Sequence, residues 1–194
     1  GSAGIGYALL KLYQATGDSR YQEAALEAVE YETRQFDAVA GDYPDLRPLS
    51  DVNGKHTFTA NYCHGSPGIA LARVGALAHL DPSRALETVE AAMKISTQPD
   101  LLNRFDFSCC GSFGRIEALL TAGLAFNRPE WVRTAQQRVA WIIARSEALG
   151  HFQMTAELPP NLALIGFFQG LSGLGYGMLR LAFPNVLPSI MLLD

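Results

Sequence analysis

The sequence is poor in cysteine, in charged residues and in long apolar runs. It contains three cysteines among 194 residues, and charged residues make up only 18% of it. Three cysteines, two of them adjacent, make a poor disulfide framework, which favours a reducing compartment, the cytoplasm. No apolar run approaches the roughly 18 residues of a membrane-spanning helix, so we expect no membrane span. The net charge of −4 gives no electrostatic reason to expect a nucleic-acid partner.

Signals for β-strands are also scarce. The dipeptide Asn53-Gly54 lies in a polar loop instead of between two alternating apolar runs, so we expect no β-hairpin there. Hydrophobic residues nevertheless make up 48% of the chain, which is enough for one domain with a substantial core. The sequence therefore predicts an all-α fold, with residues 1–194 in a single domain.

An internal repeat organises the predicted helices. The motif Gly-x-x-Gly occurs four times, and an apolar, helix-favouring run follows each copy. The copies are Gly1-Ser-Ala-Gly4, Gly65-Ser-Pro-Gly68, Gly111-Ser-Phe-Gly114 and Gly170-Leu-Ser-Gly173. The first three runs end in register at helix breakers, which are Gly17-Asp18, Asp81-Pro82 and Asn127-Arg128-Pro129.

A second helix with a one-sided apolar stripe follows each of these three breakers. In the third, Val139 and Ile142 belong to a stripe with spacings of three and four, and Gly150 is the expected end. Asp81 and Asn127 precede first-turn prolines and are expected N-caps. The motif helices are apolar nearly all round, so we expect buried inner helices and half-exposed outer helices to alternate. This pattern predicts an α/α toroid, and about seven helices predict a partial ring.

Two long, irregular connections lead directly into the second and third motif copies. They span Phe36–Thr59 and Ser96–Ser108 and contain glycine, proline or polar turn residues. Long loops in compact domains are often functional, although a surface insertion without a function is the alternative.

All three cysteines lie in the turns into which these connections lead. Cys63 and Cys109 each stand two residues before the first glycine of a motif, and Cys110 follows Cys109 directly. Thiolates are preferred zinc ligands, and catalytic zinc sites have three protein ligands and one open position. Because equivalent turns of a ring of helices can face one another, we predict that the three cysteines form one zinc site. The alternatives are buried cysteines without a metal and a site in which His64 replaces one thiol.

Other polar residues near the turns are weaker candidates. His64 lies beside Cys63 and is a candidate acid or base, or a packing residue. Asp106 and Glu117 flank the second cysteine turn, where we expect solvated or capping carboxylates. Arg115 is a candidate either to bind a peptide carboxylate or to pair with Glu117. A glycosidase-like toroid would need paired acids that face one cavity, and it would leave the cysteines unexplained.

The repeat turns resemble those of a known family. Residues 62–69, Tyr-Cys-His-Gly-Ser-Pro-Gly-Ile, resemble the Trp-Cys-His-Gly-Ala-Pro-Gly-Ile turn of LanC-type lanthipeptide cyclases. Cys109-Cys110-Gly111 resembles the family's second turn, which is usually Cys-His-Gly. The run from Phe167 to Tyr176 resembles the C-terminal end of class II (LanM-type) synthetases. The resemblance covers nearly the whole chain.

The resemblance implies an α/α toroid with Zn²⁺ near its centre, bound by Cys63, Cys109 and Cys110. It implies that zinc lowers the pKa of a cysteine thiol in a precursor peptide. The thiolate then adds to dehydroalanine or dehydrobutyrine to form a thioether ring, and His64 is a candidate catalytic acid or base. Cys110 stands where most of the family has histidine. We hypothesise that three thiolates leave a bound substrate thiolate more nucleophilic.

The resemblance also implies partners. In the family a candidate acid/base histidine immediately precedes the glycine that matches Gly1, so we interpret residues 1–194 as the C-terminal part of a cyclase domain. The implied partners are the dehydrated precursor peptide and the rest of the synthetase, namely the N-terminal part of the cyclase domain and the dehydratase domain. The alternative is a fragment that binds zinc and peptide without catalysis. Inner helices left exposed by a partial ring would favour partner contacts or self-association.

Overall fold

The computed structural model of the chain describes residues 1–47, 51–52, 55–99, 105–154 and 164–193. Within these residues the protein has seven α-helices and three short strands, which confirms the all-α prediction. The helices are α1 (Ser2–Thr16), α2 (Ser19–Thr33), α3 (Ser66–Gly75), α4 (Pro82–Ser96), α5 (Ser112–Ala125), α6 (Pro129–Leu149) and α7 (Leu171–Ala182). The strands are β1 (Pro44–Asp45), β2 (Asp51–Val52) and β3 (Lys55–Phe58).

The first glycine of every motif copy begins a helix. Gly1, Gly65, Gly111 and Gly170 are the N-cap residues of α1, α3, α5 and α7. None of these N-caps carries a capping side chain, so the start of each helix is set by backbone conformation instead. The repeat that the sequence predicts is therefore confirmed at the level of single residues.

The breakers separate the motif helices from the second helices α2, α4 and α6, as predicted. Asp81 is a cap of α4, because its carboxylate accepts a hydrogen bond from the Arg84 amide at 2.9 Å.

The expectation that Asn127 is the N-cap of α6 was wrong. Asn127 has a φ of +52° and ends α5, and the N-cap of α6 is Arg128 without a side-chain cap. Asparagine tolerates this left-handed conformation, and it lets the Arg128 amide donate to the Gly123 carbonyl at 2.8 Å.

The motif helices differ in burial, which corrects part of the sequence prediction. Nearly every residue of α5 and most residues of α3 are buried, as expected for inner helices. Only three residues each of α1 and α7 are buried. Their remaining apolar side chains include Ile5 and Leu179, which are 60% and 53% exposed. An apolar helix is buried only where neighbours cover every side, and for α1 and α7 the described residues cover one side.

A small antiparallel sheet lies inside the long connection that leads to Cys63. Its strand order is β1-β3-β2, with Pro44 opposite Phe58 and Val52 opposite Lys55. The expectation of no hairpin was therefore wrong, because β2 pairs with β3 across the Asn53-Gly54 dipeptide. Residues 53–54 themselves lie outside the described part of the chain, as do residues 100–104 of the second long connection.

The chain divides into two compact units, Gly1–Ile95 and Ser96–Asp194. In the first unit α1 packs against α2 and α3, and a buried ion pair of 2.7 Å joins Glu32 of α2 to Arg73 of α3. In the second unit α5 packs against α6 and α7. Each unit thus contains a glycine-started helix and the second helix that follows it. The assignment of residues 1–194 to a single domain stays a prediction.

Candidate metal centre

Cys63 lies in a tight turn immediately before α3. The backbone of this turn closes on itself, because the His64 carbonyl accepts hydrogen bonds from the Asn61 amide at 3.3 Å and from the Thr59 hydroxyl. Gly65 has a φ of +129°, and a Cβ there would lie 1.5 Å from the Thr59 carbonyl oxygen. Only glycine fits at this position, because it alone adopts this conformation without strain and leaves room for the neighbouring backbone.

Cys109 and Cys110 lie in the corresponding turn before α5. Two amides of the first helical turn reach back across it: Ser112 donates to the Phe105 carbonyl at 2.8 Å, and Phe113 donates to the Asp106 carbonyl at 3.0 Å. A Cβ on Gly111 would lie 2.4 Å from the Phe107 carbonyl oxygen. Close backbone packing therefore fixes the positions of the two cysteines relative to the start of α5.

A third turn of the same construction precedes α7 and has no cysteine. The Leu171 amide donates to the Leu164 carbonyl at 2.8 Å, with the same separation of seven residues as in the second turn. Phe168 stands two residues before Gly170, the position that Cys109 has before Gly111. The Cys109 amide donates to the Phe168 carbonyl at 2.8 Å. Within the second unit, two equivalent turns of the repeat therefore lie side by side.

The two adjacent thiols have a separation that suits a shared metal. The Cys110 thiol donates to the Cys109 sulfur at 3.5 Å, and no disulfide joins any of the three cysteines. A disulfide would place the sulfurs about 2.05 Å apart. Tetrahedral zinc with Zn–S bonds of about 2.3 Å places two ligand sulfurs about 3.8 Å apart. Cys109 and Cys110 therefore offer a metal ion two ligand sulfurs from one turn of the second unit.

His64 lies half-buried in the first turn. Burial lowers the pKa of its imidazole, the positive charge of Arg47 lowers it further, and the negative charge of Asp45 opposes both effects. Arg47 and Asp45 form a bidentate ion pair beside β1, with a shortest distance of 2.5 Å. The role of His64 as a catalytic acid or base stays a prediction.

The structure corrects the expectations for Asp106 and Glu117. Neither carboxylate is solvated. Asp106 is fully buried, forms an ion pair with Arg145 and accepts a hydrogen bond from the Gln153 amide at 2.7 Å. Burial raises the pKa of Asp106, and the hydrogen bond from Arg145 opposes that shift.

Glu117 pairs with an arginine that is distant in sequence. Its carboxylate lies 2.8 Å from Nε of Arg180, and Arg115 is fully buried with its guanidinium 3.1 Å from the Ser112 hydroxyl. Both acids near the second turn are therefore engaged in buried ion pairs. This arrangement speaks against a glycosidase-like pair, which needs one carboxyl group available to donate a proton and another to act as base or nucleophile.

Asp42 is a buried acid that the sequence does not mark as one. Asp42 is only 4% exposed, and burial raises its pKa to about 6. Its carboxylate accepts a hydrogen bond from the hydroxyl of Ser66, the first residue of α3, and one from the Tyr43 amide at 2.7 Å. The sequence around it, Gly-Asp-Tyr-Pro, is typical of an exposed turn, so it carried no signal of burial.

The fold is that of an all-α repeat protein in which α3, α5 and α7 begin at glycine-closed turns, and two of these turns carry thiols. The model of one family, described as lanthionine synthetase C-like protein, matches residues 1–192. The chain belongs to this family, which confirms the resemblance to LanC-type proteins, and the class II (LanM-type) assignment stays a prediction. No helix in the described ranges has both the length and the apolar character needed to cross a membrane.

Proposed function

We propose that this chain carries the zinc centre of a thioether-forming cyclase of the LanM type, with Cys63, Cys109 and Cys110 as ligands. The observation that carries the proposal is the shared construction of the two cysteine turns, each fixed against its own backbone before a buried helix. Membership of the lanthionine synthetase C-like family supports the same reaction class. The 3.5 Å between the Cys109 and Cys110 sulfurs supports a tetrahedral ion.

The proposed substrate is a dehydrated precursor peptide. Bound by the three thiolates, zinc would supply a positive charge that favours the thiolate form of a substrate cysteine. The substrate sulfur then forms a bond to the β-carbon of dehydroalanine or dehydrobutyrine, and the electrons of the carbon–carbon double bond move to the carbonyl. The α-carbon of the resulting enolate takes up one proton. The product is a thioether ring, lanthionine or methyllanthionine.

His64 is the proposed acid or base for these proton transfers. It is adjacent to a ligand in sequence, and its half-buried imidazole lies in the turn that carries Cys63. An imidazole can both accept the thiol proton and return a proton to carbon. The proposed partners are the precursor peptide and the remaining parts of a synthetase, and the proposed compartment is the reducing cytoplasm.

The first test is the zinc content of the purified chain and of two variants. We expect about one zinc per wild-type chain, because structural thiolate sites bind zinc tightly. We expect loss of zinc in Cys63→Ala and retention in His64→Gln, which changes the neighbouring residue but no ligand. A folded wild-type chain without zinc would contradict the proposed centre.

The second test separates catalysis from binding. Ring formation leaves the mass of a peptide unchanged but consumes its thiols, so thiol alkylation followed by mass spectrometry measures it. We expect the zinc-loaded chain, joined by the remaining parts of the synthetase, to consume thiols of a dehydrated peptide, and His64→Gln to do so much more slowly. Zinc binding without thiol consumption would instead support the alternative of a binding module.

A variant at Cys110 tests the role of the third thiolate. We expect Cys110→His to retain zinc and to form rings more slowly, because replacing a thiolate by a neutral imidazole makes the bound substrate thiolate less nucleophilic. An unchanged rate and an unchanged range of peptides would contradict this hypothesis.

A further inference from the structure

The adjacent thiols of Cys109 and Cys110 form a dithiol in their own right. Their sulfurs are 3.5 Å apart and belong to one turn of one unit. Both residues are half-buried, so reagents in solution can reach them. Adjacent cysteines in an extended segment usually point to opposite sides of the chain. Here the turn directs both thiols to the same side.

The backbone of the turn holds this arrangement in place. The amide of Cys109 is fixed by its hydrogen bond to the Phe168 carbonyl, and the amides of Ser112 and Phe113 close the turn from the α5 side. Gly111 follows the pair directly and has no space for a side chain. Little conformational freedom remains to be lost when a ligand bridges the two sulfurs, and preorganisation of this kind increases affinity.

We propose that Cys109 and Cys110 form a binding site for trivalent arsenic compounds, which are soft, thiol-seeking electrophiles. Trivalent arsenic binds two neighbouring thiols in preference to one, because the second bond forms at a high effective concentration. A zinc centre needs further ligands to complete its tetrahedron, whereas this site needs the pair alone. The inference therefore does not rest on the proposed function.

The reaction balances without an oxidant or a reductant. Phenylarsine oxide carries one oxygen on trivalent arsenic. Each thiol forms one arsenic–sulfur bond, the bonds from arsenic to oxygen break, and the oxygen leaves with both thiol protons as one molecule of water. Arsenic stays trivalent and carbon stays bound to it.

The experiment uses the full chain, reduced and treated with a chelator, and phenylarsine oxide as the probe. Intact-mass spectrometry counts the phenylarsine groups bound, and competition with a small dithiol measures affinity. We expect one group on the wild type and one on Cys63→Ser. We expect Cys109→Ser and Cys110→Ser to bind more weakly by on the order of 10²-fold, the usual gain from a second linked contact.

The three serine variants change one atom at comparable positions, and circular dichroism confirms that each is folded. Retention of full affinity in Cys110→Ser, or its loss in Cys63→Ser, would overturn the assignment to the pair. The zinc measurement is separate. A chain that binds no zinc but binds phenylarsine through Cys109 and Cys110 would contradict the proposed function and support this inference.

Discussion

At the scale of single residues, the glycines of the repeat have different structural roles. A Cβ on Gly173 would lie 1.9 Å from the Phe167 carbonyl oxygen and 2.7 Å from the Ser108 hydroxyl. A Cβ on Gly4, at the same motif position of the first copy, would have no atom within 4 Å. The sequence presents both as the second glycine of the motif. Only the packed turn shows which one leaves no space for a side chain.

Alanine substitutions at these two glycines should therefore act in opposite directions. We expect Gly173→Ala to reduce the free energy of unfolding by about 2 kcal/mol or more, the usual cost of overpacking. We expect Gly4→Ala to increase it by up to about 1 kcal/mol, because alanine favours the helix. Urea unfolding followed by circular dichroism measures both. Equal effects of the two substitutions would show that the turn before α7 is not closed as described.

Because Asp42 is buried, the free energy of unfolding should fall as pH rises through the range in which Asp42 titrates. Its pKa is about 6 in the folded protein and about 3.8 when unfolded. Between these values the folded state binds more protons than the unfolded state, so stability falls as pH rises from about 4 to about 6. The loss amounts to about 3 kcal/mol at most, because each pKa unit corresponds to 1.36 kcal/mol.

The variant Asp42→Asn keeps the shape of the side chain and cannot titrate. We expect the free energy of unfolding of this variant not to show the fall between pH 4 and pH 6. Both proteins are measured with a chelator, so that zinc release does not contribute. The same slope in both proteins would mean that Asp42 is not the group responsible.

At the scale of elements, one buried arginine joins three parts of the second unit. Arg180 of α7 donates to Glu117 of α5 at 2.8 Å and to the Leu187 carbonyl of the C-terminal segment at 2.9 Å. Ser189 of that segment also donates to Glu117, at 2.6 Å. The ion pair therefore fixes the C-terminal segment against the α5–α7 pair.

Removal of one member of the Glu117–Arg180 ion pair should reduce stability strongly, because it leaves a buried charge without its partner. We expect Arg180→Met to reduce the free energy of unfolding by about 3–5 kcal/mol. We expect the double variant Glu117→Gln, Arg180→Met to recover part of this loss, since no unpaired charge then remains. The exposed pair Glu30–Arg34, with atoms 3.8 Å apart, provides the control. Arg34→Met should cost less than about 1 kcal/mol, and a similar cost at both arginines would contradict the interpretation.

Element boundaries were largely predictable because they depend on local backbone preferences. Gly17 and Gly150 end helices in the left-handed conformation, with φ of +72° and +76°. Asn127 was misassigned because asparagine suits both an N-cap and this left-handed ending. The pairing of β2 with β3 was missed because the flanking residues do not alternate in the way that marks most hairpins.

At the scale of the whole molecule, the exposed apolar side chains are the main unexplained feature. Leu179 and Phe183 lie one turn apart on and beside α7 and are 53% and 55% exposed. Large apolar side chains that lie exposed and close together often mark a contact surface in soluble proteins. We therefore expect the isolated chain to self-associate.

Sedimentation velocity at increasing protein concentration measures this association. The double variant Leu179→Glu, Phe183→Glu should shift the protein toward monomer, because two charges would have to be buried in the contact. Val39 is fully exposed in a loop, so Val39→Glu adds a charge away from α7 and should leave the association unchanged. A wild-type chain that stays monomeric at all concentrations would contradict the expectation.

Local sequence determines most helix starts and several helix ends, and it shows which turns carry the thiols. Glycine, proline and the apolar stripes act on neighbouring residues, so their effects follow from spacing along the chain. Tertiary structure decided which repeat glycines have no space for a side chain, that Asp42 is buried, and that Glu117 pairs with Arg180. Those features depend on contacts between residues far apart in sequence, and spacing along the chain does not determine such contacts.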